Sequence, residues 1–336
     1  MCTFIKLSNI KKIICIILMS VKLSKTFLKL KQIKIPQWFK ILVSIVLIWI
    51  LLRDVDWQEV WLKLKLVPIW VLVFYIVCNL FAVFLISIRW GVLIPVDVNR
   101  QSIRWLSHSS YMGLFYSLFL PSSIGGDVAK WGLSYRSGVK RSRLATSIVM
   151  DRVIGLISTT IMVILVIILS YVVLRASIPR AILQLSMITS TLVFFGIIIW
   201  FGITKIPKSI FYKTKLSTIA QYPKLLEITK KSAVLSLIIS CVAQLIASYC
   251  LFLLLGRLGV NLSFLQFMLI FQIISIVSVI PISFGGFGTS EITFVYLASL
   301  FGADYQASLI YVAISIPLRI VTTCLGGLIG TMLSKT

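Results

Sequence analysis

The chain has 336 residues, of which 59% are hydrophobic and only 12% are charged, and its formal net charge is +24 at pH 7. A soluble domain has about twice that share of charged residues, so the composition excludes an ordinary soluble fold and predicts a polytopic membrane protein with one integrated domain. The excess of lysine and arginine lies between apolar stretches, where it indicates cytoplasmic loops, and we expect no nucleic-acid partner.

The N-terminal segment, residues 1–38, carries eight lysines and no acidic residue. We predict a basic cytoplasmic tail, either a positive flank of the first membrane helix or a segment that rests on anionic lipid. Met19 is an alternative start of translation, which would shorten this tail.

Residues 39–333 are predicted to form a single transmembrane domain, because long apolar runs follow one another throughout this segment. We expect an all-α fold with about six full-span helices and two broken, re-entrant helical hairpins. The runs assigned to full-span helices are 39–52, 68–88, 148–174, 181–204, 232–255 and 306–333.

The run 106–126 has strongly basic loops at both ends, so both ends should face the cytoplasm. A single crossing cannot satisfy that condition, whereas a re-entrant hairpin can. Residues 121–127, with the sequence PSSIGGD, supply the helix-breaking residues for its turn.

A second hairpin is predicted in residues 262–302, where residues 281–291 have the sequence PISFGGFGTSE and share the pattern P-x-S-x-G-G with the first turn. The charge pattern requires this hairpin to enter from the outside, which makes repeat one (68–174) and repeat two (232–333) an inverted-topology repeat. Both termini would then be cytoplasmic, and the protein would be integral to the cell (inner or plasma) membrane. The alternative is that proline and glycine merely kink two ordinary membrane helices.

The candidate ligand-binding groups lie at the two turns. Half-helices that begin after Gly126 and after Gly288 would point their positive ends at the turns, an arrangement that suits a phosphate or another anion. Asp127 and Glu291 lie at the same turns. They either cap their helices or bind a proton, a cation or an amine headgroup.

Three further charged residues are candidates for the same binding site. Asp151 and Arg152 form either a local pair near the membrane interface or part of the same cavity. Arg319 lies well inside an apolar run and needs a partner, for which Glu291 and Asp127 are the natural candidates. The predicted substrate-binding residues are Ser122, Ser123, Gly125, Gly126, Asp127, Lys130, Asp151, Arg152, Ser283, Gly285, Gly286, Ser290, Glu291 and Arg319.

Familiar catalytic and metal-binding patterns are missing from the sequence. The chain has one histidine and six cysteines, and it contains no C-x-x-C pair, no P-loop and no G-x-S-x-G motif. We therefore expect no metal, no cofactor and no catalytic residue, and an ATP-driven pump is disfavoured.

Three runs carry a family resemblance: LPSSIGGDVAK at 120–130, RSRLATSIVMDRVIGL at 141–156 and IPISFGGFGTSE at 280–291. They resemble the lysylphosphatidylglycerol synthase transmembrane (flippase-like) family, and the likeness extends over about residues 38–333, with RDVDW at 53–57 and IRW at 88–90 also fitting.

The resemblance implies a role in lipid transport. Large members of the family join this membrane domain to a soluble aminoacyltransferase domain that charges phosphatidylglycerol with lysine, and the membrane half is associated with moving the lipid across the bilayer. This chain reaches only Thr336, so we expect a stand-alone membrane domain without the synthase activity. By resemblance, Asp127, Asp151, Arg152 and Glu291 match polar motif positions, and Lys130 stands where a basic residue, commonly arginine, is expected.

Three functions remain open from the sequence. The favoured one is a lipid flippase for a phospholipid or a polyprenyl-linked headgroup, with membrane lipids as partners. A second is a non-transporting membrane subunit or scaffold, whose basic tail and lysine-rich loop 205–231 would dock a separate lipid-modifying enzyme. A third, less favoured, is an enzyme that transfers a headgroup, for which Asp127 and Glu291 could supply acids.

Overall fold

The computed structural model describes residues 37–94, 101–120, 125–134, 141–173, 178–205, 229–279 and 283–335. Within these ranges the chain forms eleven α-helices and one 3₁₀ turn, without a β-strand. The helices are α1 (Gln37–Leu52), α2 (Trp57–Leu66), α3 (Ile69–Val92), α4 (Gln101–Ser117), α5 (Gly125–Leu133), α6 (Arg141–Val173), α7 (Arg180–Lys205), α8 (Lys230–Arg257), α9 (Phe264–Val277), α10 (Thr289–Leu300) and α11 (Tyr305–Lys335), and the 3₁₀ turn is Phe284–Gly286.

Four of these helices, α3, α6, α8 and α11, are long and apolar enough to cross a membrane. Shorter apolar stretches lie in α1, α7 and α9. The prediction of an all-α polytopic integral membrane protein is therefore confirmed. Most of the basic tail 1–38, Ser122, Ser123 and most of the loop 205–231 lie outside the described residues.

Local sequence explains where several helices begin. The Ser263 hydroxyl accepts a hydrogen bond from the Gln266 backbone N–H, and the Gln266 side chain accepts one from the Ser263 backbone N–H, which together form a capping box at the start of α9. Thr229 caps α8 in a similar way by accepting from the Ser232 backbone N–H at 3.1 Å. These caps place polar residues at the point where an apolar helix must start.

The helix α2 lies between two predicted membrane runs, 39–52 and 68–88. Its N-cap is Asp56, whose carboxylate accepts hydrogen bonds from the backbone N–H groups of Gln58 and Glu59, at 2.9 Å and 3.2 Å. The cap stabilises a helix whose composition is too polar for a membrane span. This short helix connects the end of α1 to the start of α3.

The helices of both predicted hairpins pack as adjacent pairs, α4 against α5 and α9 against α10, while re-entry of each pair from one side of the membrane stays a prediction. The first one extends beyond the apolar run 106–126, because its second helix is the polar segment α5. Gly113 and Gly126 allow α4 and α5 to touch, since a Cβ atom at Gly126 would lie 2.6 Å from the Gly113 carbonyl oxygen. Only glycine fits at that contact.

Helices of the two predicted repeats pack against each other. The helix that opens repeat one, α3, packs along the helix that opens repeat two, α8. The first hairpin helix α4 packs on α11, and the second hairpin's α9 packs on α6. A Cβ atom at Gly327 would lie 2.6 Å from the Phe115 ring, so glycine lets α11 approach α4 closely.

The buried apolar residues fall into a large cluster and a small one. The large cluster includes Phe267, Leu254 and Ile310 and draws on helices of both repeats. The small cluster surrounds Trp90, which is fully buried and packs with Leu106 and other residues of α3, α4 and α6. Trp90 of this small cluster also contacts a charged side chain, because Lys130 Nζ lies 3.9 Å from the centre of its ring.

Candidate functional site

An acidic residue in the first turn of each hairpin's second helix faces an arginine of the helix that follows the hairpin. In the first hairpin, Arg152 Nε of α6 donates to Asp127 Oδ2 of α5 at 2.7 Å. In the second, Arg319 Nη1 of α11 lies 3.8 Å from Glu291 Oε1 of α10. The two hairpins thus carry equivalent acid–arginine pairs, and Glu291 is the partner that Arg319 finds.

Glu291 also caps its own helix. Its Oε2 atom accepts a hydrogen bond from the Gly288 backbone N–H at 2.6 Å, so one carboxylate oxygen satisfies the helix start while the other faces Arg319. Arg319 Nη2 in turn donates to the Gly285 carbonyl at 2.9 Å, and its guanidinium lies 4.4 Å from the centre of the Phe287 ring. The two interpretations of this acid, helix cap and binding residue, are therefore compatible.

Glycines allow the backbone conformation of the second turn, and hydrogen bonds of hydroxyl groups stabilise it. Gly285, Gly286 and Gly288 have positive φ angles of 60°, 80° and 86°, a backbone region that glycine adopts readily. Ser290 Oγ donates to the Gly286 carbonyl at 2.6 Å, and the Ser283 and Thr289 hydroxyls lie 2.8 Å apart. The polar groups of this turn are thus satisfied largely by the turn itself.

This turn also meets the first hairpin. A Cβ atom at Gly285 would lie 3.5 Å from the Ser117 carbonyl oxygen at the end of α4. The Phe284 backbone N–H donates to Ser44 Oγ of α1 at 2.7 Å, which fixes the turn from its other side. The second turn therefore lies between the end of α4 and the helix α1.

Asp151 belongs to a buried network rather than to a local pair with Arg152. Arg89 Nε of α3 donates to Asp151 Oδ1 at 2.8 Å, and Lys130 Nζ of α5 lies 3.9 Å from Asp151 Oδ2. The side chains of Arg89 and Asp151 are each 9% exposed, and that of Lys130 is 7% exposed. The ammonium of Lys130 also lies 3.9 Å from the centre of the Trp90 ring, a cation–π contact.

Most of these side chains line two adjoining cavities. The charged cavity, of about 430 Å³, contains Gly126, Asp127, Lys130, Asp151 and Arg152 among its lining residues. The mixed cavity, of about 480 Å³, contains Ser290, Glu291 and Arg319 and is otherwise lined by apolar, hydroxyl and amide side chains. The residues that line both cavities are Val83, Leu114, Phe271 and Ser275.

Some predicted site residues line neither of these two cavities. Gly125, Ser283, Gly285 and Gly286 build the turns and the helix contacts around them. Ser122 and Ser123 lie outside the described residues, so their predicted role stays a prediction.

The sequence did not single out several residues of the charged cavity. Arg89 follows the apolar run 68–88 directly, as a basic flank of a membrane helix would, and Ser110 and Gln244 lie inside apolar runs. Arg89 Nη1 donates to Ser240 Oγ of α8 at 2.9 Å, and Gln244 lies one turn further along the same helix. The signal was available, because polar residues recur every four positions in α8, at Ser236, Ser240, Gln244 and Ser248.

Comparison with known proteins gives one finding. A family model described as "Lysylphosphatidylglycerol synthase TM region" matches residues 37–330, which contain both hairpins and the lining of both cavities. No curated protein and no solved structure matches the chain.

Proposed function

The chain belongs to the lysylphosphatidylglycerol synthase transmembrane-region family, and from this we propose that it is a flippase, which moves a phospholipid or a polyprenyl-linked lipid across the membrane. The family and the apolar helices together indicate a membrane protein with a lipid-related role. The proposal goes further by assigning transport of the lipid to the two cavities.

One observation carries the proposal: two adjoining cavities lie among apolar helices, and each contains an acid–arginine pair. Charged side chains in the apolar layer are costly and are typical of substrate and ion pathways. A lipid headgroup combines a phosphate with hydroxyl or amine groups, so it needs cationic groups for the phosphate and hydrogen-bond acceptors for the hydroxyl or amine in one polar space. The apolar parts of the cavity walls suit the acyl or polyprenyl chain.

The packing of the helices supports a two-fold repeat. If repeats one and two exchange places, α3 exchanges with α8, α4 with α9 and α6 with α11. The observed contacts α3–α8, α4–α11 and α6–α9 are then mapped onto one another. We propose that the two hairpins enter from opposite sides of the cell membrane, as in transporters built from inverted-topology repeats, and that both chain termini are cytoplasmic.

The acids and the arginines would have different tasks in transport. The cationic side chains would hold the phosphate. Asp127 and Glu291 would accept a hydrogen bond from an amine or a sugar hydroxyl, or would carry a coupling proton. Because each acid already pairs with an arginine, a headgroup that entered the cavity would exchange these pairs for contacts with itself.

The proposal is tested in liposomes that contain the purified protein and a trace of fluorescent phosphatidylglycerol. An impermeant reductant bleaches the outer leaflet, and the later loss of the inner pool measures translocation. We expect Asp127→Asn and Glu291→Gln to slow this loss by about tenfold or more, because each removes the carboxylate charge that pairs with an arginine of the cavity wall.

A matched control is Glu59→Gln, which removes a carboxylate from the first turn of α2, outside both cavities. It should translocate lipid like the unmodified protein. Wild-type rates in well-expressed Asp127→Asn and Glu291→Gln proteins would refute the assigned roles.

A further inference from the structure

We propose that the charged cavity is a binding site for a single phosphodiester group whose neighbouring hydroxyl is also recognised, and that Lys130 is its principal cation. This inference rests on the proposed function, because it specifies which part of a lipid the charged cavity takes. It concerns binding, which can be measured apart from transport.

The charge balance of the cavity is the first argument. Its lining includes three cationic side chains, Arg89, Lys130 and Arg152, and two anionic ones, Asp127 and Asp151, which leaves a net charge of +1. A single negative charge would neutralise it. A phosphodiester carries one negative charge, whereas a phosphomonoester near neutral pH carries about 1.5 to 2.

The hydrogen bonds show where the surplus charge lies. Asp127 is engaged by Arg152 at 2.7 Å and Asp151 by Arg89 at 2.8 Å, so both acids have a close partner. Lys130 Nζ is 3.9 Å from Asp151 Oδ2, which is beyond hydrogen-bonding distance. Among the described residues, its other partner is the face of the Trp90 ring, which accepts no conventional hydrogen bond. Lys130 therefore has donor capacity for an anion in the cavity.

An unpartnered donor lies in the same cavity wall. Ser110 is only 8% exposed, and among the described residues its hydroxyl has no hydrogen-bond partner. A buried hydroxyl without a partner costs free energy, so a ligand that accepts its proton would bind more tightly. Phosphate oxygens are acceptors of this kind.

The cavity also contains a free hydrogen-bond acceptor, which would suit a hydroxyl group of the ligand. Gln244 Nε2 donates to Ser158 Oγ at 2.8 Å, and Ser158 Oγ itself donates to the Gly155 carbonyl at 2.8 Å. Since the serine proton is already committed, the Gln244 amide must present its nitrogen to Ser158. Its oxygen Oε1 is left without a partner among the described residues. A hydroxyl beside the phosphate, as in a glycerol or sugar headgroup, would satisfy it.

Isothermal titration of the purified protein in an uncharged detergent tests this site with four short, defined probes. Dihexanoyl phosphatidylglycerol is the phosphodiester lipid, dihexanoyl phosphatidate the monoester, and dihexanoylglycerol the neutral lipid. Glycerophosphoglycerol presents the same phosphodiester without acyl chains. We expect the first probe to bind about tenfold or more tightly than the monoester and the neutral lipid, a difference of about 1.4 kcal/mol.

Variants tie the binding to the named residues. Lys130→Gln should weaken phosphatidylglycerol binding by about tenfold or more, whereas Lys130→Arg, which keeps the charge, should retain it. Ser110→Ala keeps every charge of the network and should weaken binding by about threefold to tenfold. The control Lys65→Gln removes an exposed lysine of α2 and should change nothing.

The outcomes separate the sources of the phosphodiester. Weaker binding of glycerophosphoglycerol than of the lipid would assign the site to a lipid headgroup, and equal binding would assign it to phosphodiesters from either source. Equal binding of the neutral lipid, tighter binding of the monoester, or unchanged binding by both Lys130→Gln and Ser110→Ala would overturn the inference. Binding as expected without translocation in liposomes would leave this site standing and refute the proposed function alone.

Discussion

Arg89 Nε donates to Asp151 Oδ1 at 2.8 Å, and this pair joins the last turn of α3 to α6 although the two residues are 62 positions apart. Both side chains are about nine-tenths buried. Removing one partner of a buried ion pair strongly destabilises a protein, because the other charge is left buried without compensation. Here Asp151 also faces Lys130, so its carboxylate is the counter-ion of two cations.

Asp151→Asn should therefore destabilise the protein by about 3–5 kcal/mol, the usual cost of breaking a buried pair. The measurement is the thermal or denaturant unfolding of the purified protein in detergent. The control is Glu59→Gln, since Glu59 lies in the first turn of the polar helix α2. Its effect should be about 0–1 kcal/mol. Equal stability of the two variants would contradict the structural role given to Asp151.

A second prediction concerns the contact between α4 and α5. Gly126→Ala places a Cβ atom 2.6 Å from the Gly113 carbonyl oxygen and 3.2 Å from Ser117 Cβ. Because backbone atoms cannot move aside, α5 must shift, and we expect a loss of stability of about 1–3 kcal/mol. Lipid translocation should fall as well, since α5 carries Asp127 and Lys130.

The same helix offers a matched control for this substitution. A Cβ atom at Gly132 would meet no heavy atom within 4 Å. Gly132→Ala should leave stability unchanged or raise it by up to about 1 kcal/mol, through the higher helix propensity of alanine. Similar losses of stability in Gly126→Ala and Gly132→Ala would contradict the explanation of the Gly126→Ala effect by the Gly113 contact.

A third prediction addresses the side from which each hairpin enters. Single cysteines at Asn99, Ser137, Asn261 and Asp304, in a chain whose native cysteines are replaced, report exposure to a membrane-impermeant thiol reagent in intact cells. We expect protection at Asn99 and Ser137, and labelling at Asn261 and Asp304, because the basic flanks of the first hairpin are cytoplasmic in the proposed topology. Opposite exposure of Asn99 and Ser137 would mean that residues 106–126 cross the membrane.

Sequence reasoning located both hairpins because their turns contain the residues that end helices. The glycines at 285, 286 and 288 adopt positive φ angles, and α10 begins directly after Gly288. The apolar surroundings of Arg319 also indicated that it needed an acidic partner, and Glu291 provides it. Such features depend on local sequence and on the cost of a charge in an apolar layer.

Other features depend on contacts between distant segments. Arg89 has an ordinary explanation as a basic flank of α3, and nothing nearby in sequence indicates its pairing with Asp151. The helix α2 was missed because the charged segment 53–67 resembles a loop, and its cap at Asp56 is a single residue. The partition into two cavities follows from how α3, α4 and α9 pack, which periodicity alone does not determine.

The central claim is that lipid passes through the two adjoining cavities, and Ser275 tests it most directly because it lines both. Ser275→Cys, in a chain whose six native cysteines are replaced, presents one thiol at the shared wall. Ser334→Cys, at the exposed end of α11, is the matched control for modification away from the cavities.

Both proteins are modified with a bulky thiol reagent that a reductant can remove, and translocation of fluorescent phosphatidylglycerol is measured before modification, after it and after reduction. The account predicts that modification at position 275 stops translocation, that reduction restores it, and that modification at position 334 has no effect. Wild-type translocation by a protein that is fully modified at position 275 would contradict it.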